Sequence, residues 1–271
     1  MKGLYQNLYT SDATRQIEES VMRKEADKET ALDGFELMTR AARFALRSIL
    51  ENGPDFTGLT IFCGKGNNAG DGYLIAKLAQ EAGFLVQVIS VFDPAFLSPD
   101  AKRAFDQAVR VGVVVESDTV QIRFNIVIDA IFGIGLRKGL PTNVLNCIDR
   151  INAHTGFVVA LDVPTGIDSD TGSIDEDHGT PRAVKASLTI CFITLKQGLF
   201  TGKARSFSGR KLLGDLGIDK KYLFDRPSKS LLRWDASAAA NFEGSIHKHK
   251  RGRLLILGGD EGMGGAVIMA A

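Results

Sequence analysis

The apolar positions of this chain change period along its length. In the stretch Phe35, Leu37, Met38, Ala41, Ala42, Ala45, Leu46 and Ile49 they recur every three or four residues. That spacing predicts an amphipathic helix with one buried face, and Asn52-Gly53-Pro54 ends it. Residues 1–50 read as helical, with Thr10 or Ser11 capping a charged, weakly amphipathic segment from Asp12 onward. Beyond residue 58 the pattern becomes short apolar runs without polar alternation. Six strands are predicted, at 59–63, 84–91, 111–115, 126–129, 157–162 and 186–193. Helices are predicted between them at 72–82, 99–109 and 144–153. Strands apolar on both faces and separated by helices imply a three-layer α/β domain around a doubly wound, mostly parallel sheet.

This pattern ends near Gly217. Residues 218–245 are mixed and strand-poor, as expected of a linker. A new element opens within 246–271: a strand Leu254-Leu255-Ile256-Leu257 running into Gly258-Gly259, then Gly262-Met263-Gly264-Gly265 entering a helix. One strand and part of a helix bury no core. The expectation is the severed start of a second domain of a longer protein.

Composition narrows the function classes. Apolar residues are 44% and charged residues 24%, and 33 basic against 32 acidic residues leave a net charge of +1. Nothing there favours nucleic acid or a membrane surface. No apolar run reaches the roughly 18 residues of a membrane span, and no signal peptide is visible, so a cytoplasmic protein is expected. Cys63, Cys147 and Cys191 lie in apolar runs without metal-ligand spacing and read as buried hydrophobes. His154, His178, His247 and His249 form no ligand or catalytic pattern, and no G-x-S-x-G is present.

Ligands of open α/β sheets bind beyond the carboxyl ends of strands, so the turns there carry the candidate chemistry. The first is Gly64-Lys65-Gly66-Asn67-Asn68-Ala69-Gly70-Asp71-Gly72. It meets a loose G-x-G-x-x-A dinucleotide pattern, yet two asparagines and an aspartate crowd it. A carboxylate there repels phosphate unless its charge is offset. The second is Asp129-Ala130-Ile131-Phe132-Gly133-Ile134-Gly135-Leu136-Arg137-Lys138-Gly139, with glycines for close backbone approach and two cations suited to phosphate. The third is Asp162-Val163-Pro164-Thr165-Gly166-Ile167-Asp168. A carboxylate delivered by a buried strand suits proton transfer. Asp168 and Asp170 are expected in a solvent-exposed turn. Amide, carboxylate and hydroxyl oxygens on Asn68, Asp129 and Thr165 suit a hard cation.

With Leu188-Thr189-Ile190-Cys191-Phe192 and Leu195-Lys196-Gln197-Gly198-Leu199, these motifs resemble, in order and over residues 10–217, the YjeF N-terminal domain. The resemblance implies a Rossmann-like fold and NAD(P)H-hydrate epimerase activity, which interconverts the R and S forms of hydrated NADH and NADPH. It also implies a bound potassium ion held by Asn68, Asp129 and Thr165, and a homo-oligomer, commonly a dimer. The substrate would contact Asn67, Asn68, Ala69, Gly70, Asp71, Gly133, Ile134, Gly135, Leu136, Arg137, Lys138, Gly139 and Asp162. Asp162 is the expected catalytic acid or base, and Lys196 is expected to contact substrate or balance charge. Thr39 and Ala42 depart from the family's acid and glycine in the early helix. Residues 246–271 resemble the opening of a ribokinase-like domain, the ADP-dependent NAD(P)H-hydrate dehydratase, so ADP would serve only the longer parent. Two other readings stay open here: an NAD(P)-dependent oxidoreductase and a non-catalytic dinucleotide-binding module.

Overall fold

A computed structural model describes residues 5–25, 33–135, 139–223, 227 and 229–232. By contacts the chain divides into Gln6–Leu231 and a second unit of Met1–Tyr5 with Leu232–Ala271. The expected ribokinase-like fragment at 246–271, and most of the expected linker, lie outside the described residues.

The order of elements is β1 (Tyr5–Tyr9), α1 (Ser11–Glu25), α2 (Gly34–Asn52), β2 (Gly58–Cys63), α3 (Asn67–Glu81), β3 (Leu85–Ser90), α4 (Pro99–Arg110), β4 (Val115–Ser117), β5 (Ile126–Ala130), α5 (Thr142–Ala153), β6 (Phe157–Leu161), β7 (Glu176–Asp177), β8 (Thr180–Pro181), β9 (Leu188–Phe192), β10 (Leu195–Lys196), α6 (Ala204–Phe207), β11 (Arg210–Gly214) and β12 (Lys229–Leu232). Seven strands form one sheet in the order β11-β9-β6-β5-β2-β3-β4, every pairing parallel. Chain order reverses between β2 and β5, which is the topological switch point of a Rossmann-like fold.

Period two along the strands sorts the core into two layers. Leu59, Ile61 and Cys63 of β2, with Ile126 and Ile128 of β5, face α1, α2 and α3. Phe62 of β2 and Val127 of β5 face Cys147, Ile148 and Ile151 of α5. Residues of β2 and β5 are buried throughout, which is why their sequences carry no polar alternation.

Four expectations about elements need correction. The helix expected from residue 72 begins at Asn67, so half of the glycine-rich turn is helical. The strand expected at 111–115 is displaced to Val115–Ser117, because Val111 and Gly112 make the turn that ends α4. The first residues are not helical throughout: β1 lies beside β10, pairing Leu8 with Leu195 and Tyr9 with Lys196. A seventh sheet strand, β11, extends the sheet beyond β9. Thr10 does cap α1, its hydroxyl accepting from the Ala13 amide at 3.2 Å. Ala42 sits in the core with no exposed surface, and the Thr39 hydroxyl donates to the Phe35 carbonyl at 2.8 Å.

Candidate active site at the sheet switch point

The ends of β2 and β5 touch at the switch point. The Gly64 amide donates to the Ala130 carbonyl at 3.1 Å, and a Cβ on Gly64 would overlap the Ile131 carbonyl. This close backbone approach is what the first glycine of the turn provides. Later glycines of the same motif pack the helix instead. A Cβ on Gly70 would run into Met38 of α2, and one on Gly72 would stand 2.7 Å from the Ala130 side chain.

α3 starts at Gly66 without a side-chain cap, so Asn67 and Asn68 occupy its first turn. Asn67 accepts from the Ser98 hydroxyl at 3.1 Å. Both polar atoms of the Asn68 carboxamide are buried and have no hydrogen-bond partner. Buried amides are rarely left so, which makes Asn68 a candidate for an external ligand. Asp71 is 8% exposed, and its pKa is raised well above the usual carboxylate range, first by burial and then by the charges of Asp162 and Glu18.

Asp129 ends β5 wholly buried. One carboxylate oxygen accepts from the Thr165 hydroxyl at 2.7 Å and the Ile131 amide at 3.2 Å; the other accepts from the Thr165 amide at 2.8 Å. The Phe132 amide in turn donates to the Thr165 hydroxyl at 3.0 Å. Burial pushes the Asp129 pKa up to about 6, although these hydrogen bonds pull it down. Three neutral donors therefore leave the ionised form short of positive charge.

Asp162 directly follows β6 with a φ of 63°, a left-handed conformation that aspartate adopts more readily than most residues with a side chain. Its amide donates to the Ile190 carbonyl at 2.7 Å, fixing the turn against β9. The carboxylate pairs with Lys196, whose side chain is only 1% exposed, and accepts from the Phe192 amide at 3.3 Å. Lys196 also donates to the Phe192 carbonyl at 2.9 Å. Ile193, the next residue, is also left-handed, at φ 64°. Such a backbone in a β-branched residue costs about 1–3 kcal/mol and persists only where its surroundings impose it.

A cavity of about 580 Å³ opens over this crevice. Of the residues expected to meet substrate, Asn67, Asn68, Asp71, Gly133, Ile134, Gly135 and Asp162 line it. Gly133 is closely packed there: a Cβ would stand 3.2 Å from the Asp162 carboxylate and 3.6 Å from the Asn68 carboxamide carbon. Ala69 and Gly70 are buried, and Lys196 is buried in contact with Asp162 and not on the cavity lining. Leu136, Arg137 and Lys138 lie outside the described residues. Gly139 has a left-handed φ of 80° and open space at its Cβ position.

Two expectations about this neighbourhood change. Asp168 and Asp170 are half-buried structural residues, not a solvent-exposed turn. Asp168 accepts from the Asp170 and Thr171 amides, and Asp170 accepts from the Ser11 amide at 2.6 Å, tying α1 to the turn. The cavity also takes a wall from α1 that no motif announced. Arg15, Glu18 and Met22, at helical spacing, face it. Arg15 donates to the Ile134 carbonyl at 2.9 Å, and burial pushes Glu18 up to about 7. The three cysteines are buried and free, as expected. Among the described residues no helix is long and apolar enough to cross a membrane.

The fold and crevice define a Rossmann-like α/β protein with a cavity at the switch point of a parallel sheet. The family described as YjeF-related protein N-terminus matches residues 34–198, and the chain belongs to it. The chain is 34% identical to the bifunctional NAD(P)H-hydrate repair enzyme Nnr of Coxiella burnetii, over 97% of this chain and 53% of that protein. It is also 34% identical to that of Escherichia coli, over 91% and 48%. The chain thus spans about half the length of these relatives. An NAD(P)H-hydrate epimerase of Limosilactobacillus fermentum is 34% identical over 66% of this chain and 84% of its own length. The crystal structure of yeast ynu0, YNL200c, shares the fold with a TM-score of 0.63, covering 83% of this chain and 99% of that one at 18% identity.

Proposed function

We propose that this chain is an NAD(P)H-hydrate epimerase, acting on the R and S forms of hydrated NADH and NADPH. The observation that carries the reading is the buried Asp162 carboxylate, neutralised by Lys196 and presented to a cavity at the switch point. The substrate bears a hydroxyl on the ring carbon next to nitrogen. Inverting that centre needs an acid for the departing oxygen and a base for its return. Asp162 is the catalytic carboxyl in this reading. Its conformation is held by the Ile190 carbonyl and the Phe192 amide, so it meets substrate without reorganising. Asn67, Asn68, Asp71 and residues 133–139, Leu136, Arg137 and Lys138 included, would hold the dinucleotide.

The donor set fits a potassium ion. Asn68 carries an unpartnered buried carboxamide oxygen, Asp129 lacks positive charge when ionised, and Thr165 adds a hydroxyl. Among the described residues no cluster of three or more histidine, cysteine or acidic side chains could hold a metal ion, so the ion would rest on a mixed set of amide, carboxylate and hydroxyl oxygens. Asn68, Asp129 and Thr165 would hold the ion, which would supply positive charge beside the carboxylates and help orient the substrate. A pH dependence follows. Above pH 6 the buried Asp129 is ionised and gains from a cation; at pH 5 it is largely protonated and gains little. Potassium should therefore raise the melting temperature at pH 8 and leave it nearly unchanged at pH 5, relative to tetramethylammonium. Equal shifts at both pH values would remove Asp129 from the site.

The reading extends to the parent protein. A longer chain would join this domain to an ADP-dependent dehydratase beginning near residue 246, and would act in the cytoplasm, as a homo-oligomer. The direct test uses one purified epimer of hydrated NADH in potassium buffer, with the epimer ratio followed by chromatography against an enzyme-free control. Accelerated approach to the same equilibrium ratio is expected. Slow, uncatalysed conversion in a folded sample would leave only a binding role.

A further inference from the structure

Glu18 is a further carboxyl group facing the cavity that Asp162 and Asp71 line. It lies on α1, where Arg15, Glu18 and Met22 form the stripe turned to the cavity, while Ile17 and Val21 form the neighbouring stripe buried in the core. Its placement is imposed by contacts at both levels of the helix. The Thr14 hydroxyl, one turn before Glu18, meets the Thr194 hydroxyl at 2.7 Å, and the Ser11 hydroxyl meets that of Ser169 at 2.5 Å. Thr194 belongs to the same tight connection that carries Ile193 and Lys196, so α1 is fixed to the segment that neutralises Asp162.

The two carboxyl groups are electrostatically unequal. Asp162 has a buried ammonium in direct contact. Among the described residues no cation pairs with Glu18. The charged groups around it are Lys196 and Arg15, which favour its ionisation, and Asp162, Glu19 and Asp71, of which Asp162 and Glu19 oppose it. Burial outweighs all of these and holds its pKa up to about 7. Of the described carboxyl groups that line the pocket, Asp162 is thus the one paired with a cation, and Glu18, like the buried Asp71 of α3, is one that keeps its proton near neutrality, the division of labour that acid–base catalysis needs.

Resting on the epimerase reading, we propose that Glu18 is a catalytic residue, the acid that protonates the departing hydroxyl of the hydrated nicotinamide ring. In that step the carbon–oxygen bond breaks as the ring nitrogen's lone pair forms a carbon–nitrogen double bond. The oxygen leaves as water with the proton of Glu18. Water then adds to the other face of the same carbon, the electron pair returns to nitrogen, and the Asp162 carboxylate takes the water's proton. Reaction in the opposite direction uses the two groups in exchanged roles, and exchange with solvent restores the starting protonation.

The test compares the wild-type chain with Glu18→Gln and Glu18→Asp in the single-epimer assay. Glu18→Gln should lower kcat about 100-fold or more with KM changed little, the scale of a general acid. Glu18→Asp should recover part of the loss. Wild-type kcat should also fall as pH rises through about 7, where Glu18 loses its proton. A structural role would instead raise KM, or lower the melting temperature of both variants alike. Glu18→Gln with wild-type kcat overturns the proposal and leaves the Asp162 reading intact, whereas an inactive wild-type chain overturns the epimerase reading itself. Should Glu18→Gln fail to fold, the wild-type profile and Glu18→Asp decide: a flat profile across pH 6–8 with full activity in Glu18→Asp would equally reject the role.

Discussion

Asp162→Asn should reduce epimerisation about 100- to 10,000-fold, because the carboxyl that moves the proton becomes an amide that cannot. Asparagine tolerates the left-handed backbone at this position as well as aspartate does, so the variant isolates charge from conformation. It should also be less stable. Lys196 is almost wholly buried and would be left without its counter-ion, a loss of about 3–5 kcal/mol for a broken buried pair. Adding Lys196→Met removes the stranded charge, so Asp162→Asn/Lys196→Met should melt higher than Asp162→Asn and remain equally inactive. Denaturant titration and the epimer assay read the two effects separately. Recovered activity in the double variant would contradict the role given to Asp162.

The second large effect is expected at Gly64, and it is one of stability. Gly64→Ala places a methyl group against the Ile131 backbone carbonyl, which cannot rotate away as a side chain would. The ends of β2 and β5 must then part, with loss of the hydrogen bond between Gly64 and Ala130. The cost should reach at least about 3 kcal/mol, the upper part of the range for overpacking. Gly66→Ala is the control, since no atom lies within 4 Å of its would-be Cβ. It should change stability by no more than about 0.5 kcal/mol. Two glycines of one motif, two residues apart, are thus expected to behave oppositely. Similar urea midpoints for both variants would show that the strand ends tolerate separation.

These residues also show where sequence carried the structure and where it did not. The sheet strands β2, β5, β6 and β9 are buried on both faces, so each appears as an apolar run and its ending turn can be located. The three turns at those ends hold Asn68, Asp129, Asp162 and Thr165, and motif reading finds them. The placement of α1 is harder to read because the side chains that tie it down are polar: Ser11 and Thr14. Their partners lie far away in sequence, and hydrophobic periodicity carries no trace of a hydroxyl pairing with a hydroxyl. β11 is a short strand at the sheet edge that begins Arg210-Lys211, half-exposed, so it lacks both the apolar run and clean alternation. β1 and β10 are legible only through each other. The glycine-rich motif was visible, but its division into a turn and a helical half depends on packing against Met38 and Ala130.

The tie between Thr14 and Thr194 spans 180 residues of sequence, and the Asp162 carboxylate is held by a strand, β9, that lies between β6 and β11. Local contacts alone therefore cannot build this catalytic centre. During synthesis, α1 must wait for the connection after β9 before its cavity-facing side is in place, long after β2 and β5 can pair. Recovery of turnover on refolding should accordingly lag behind recovery of helical signal, as expected where distant segments must meet.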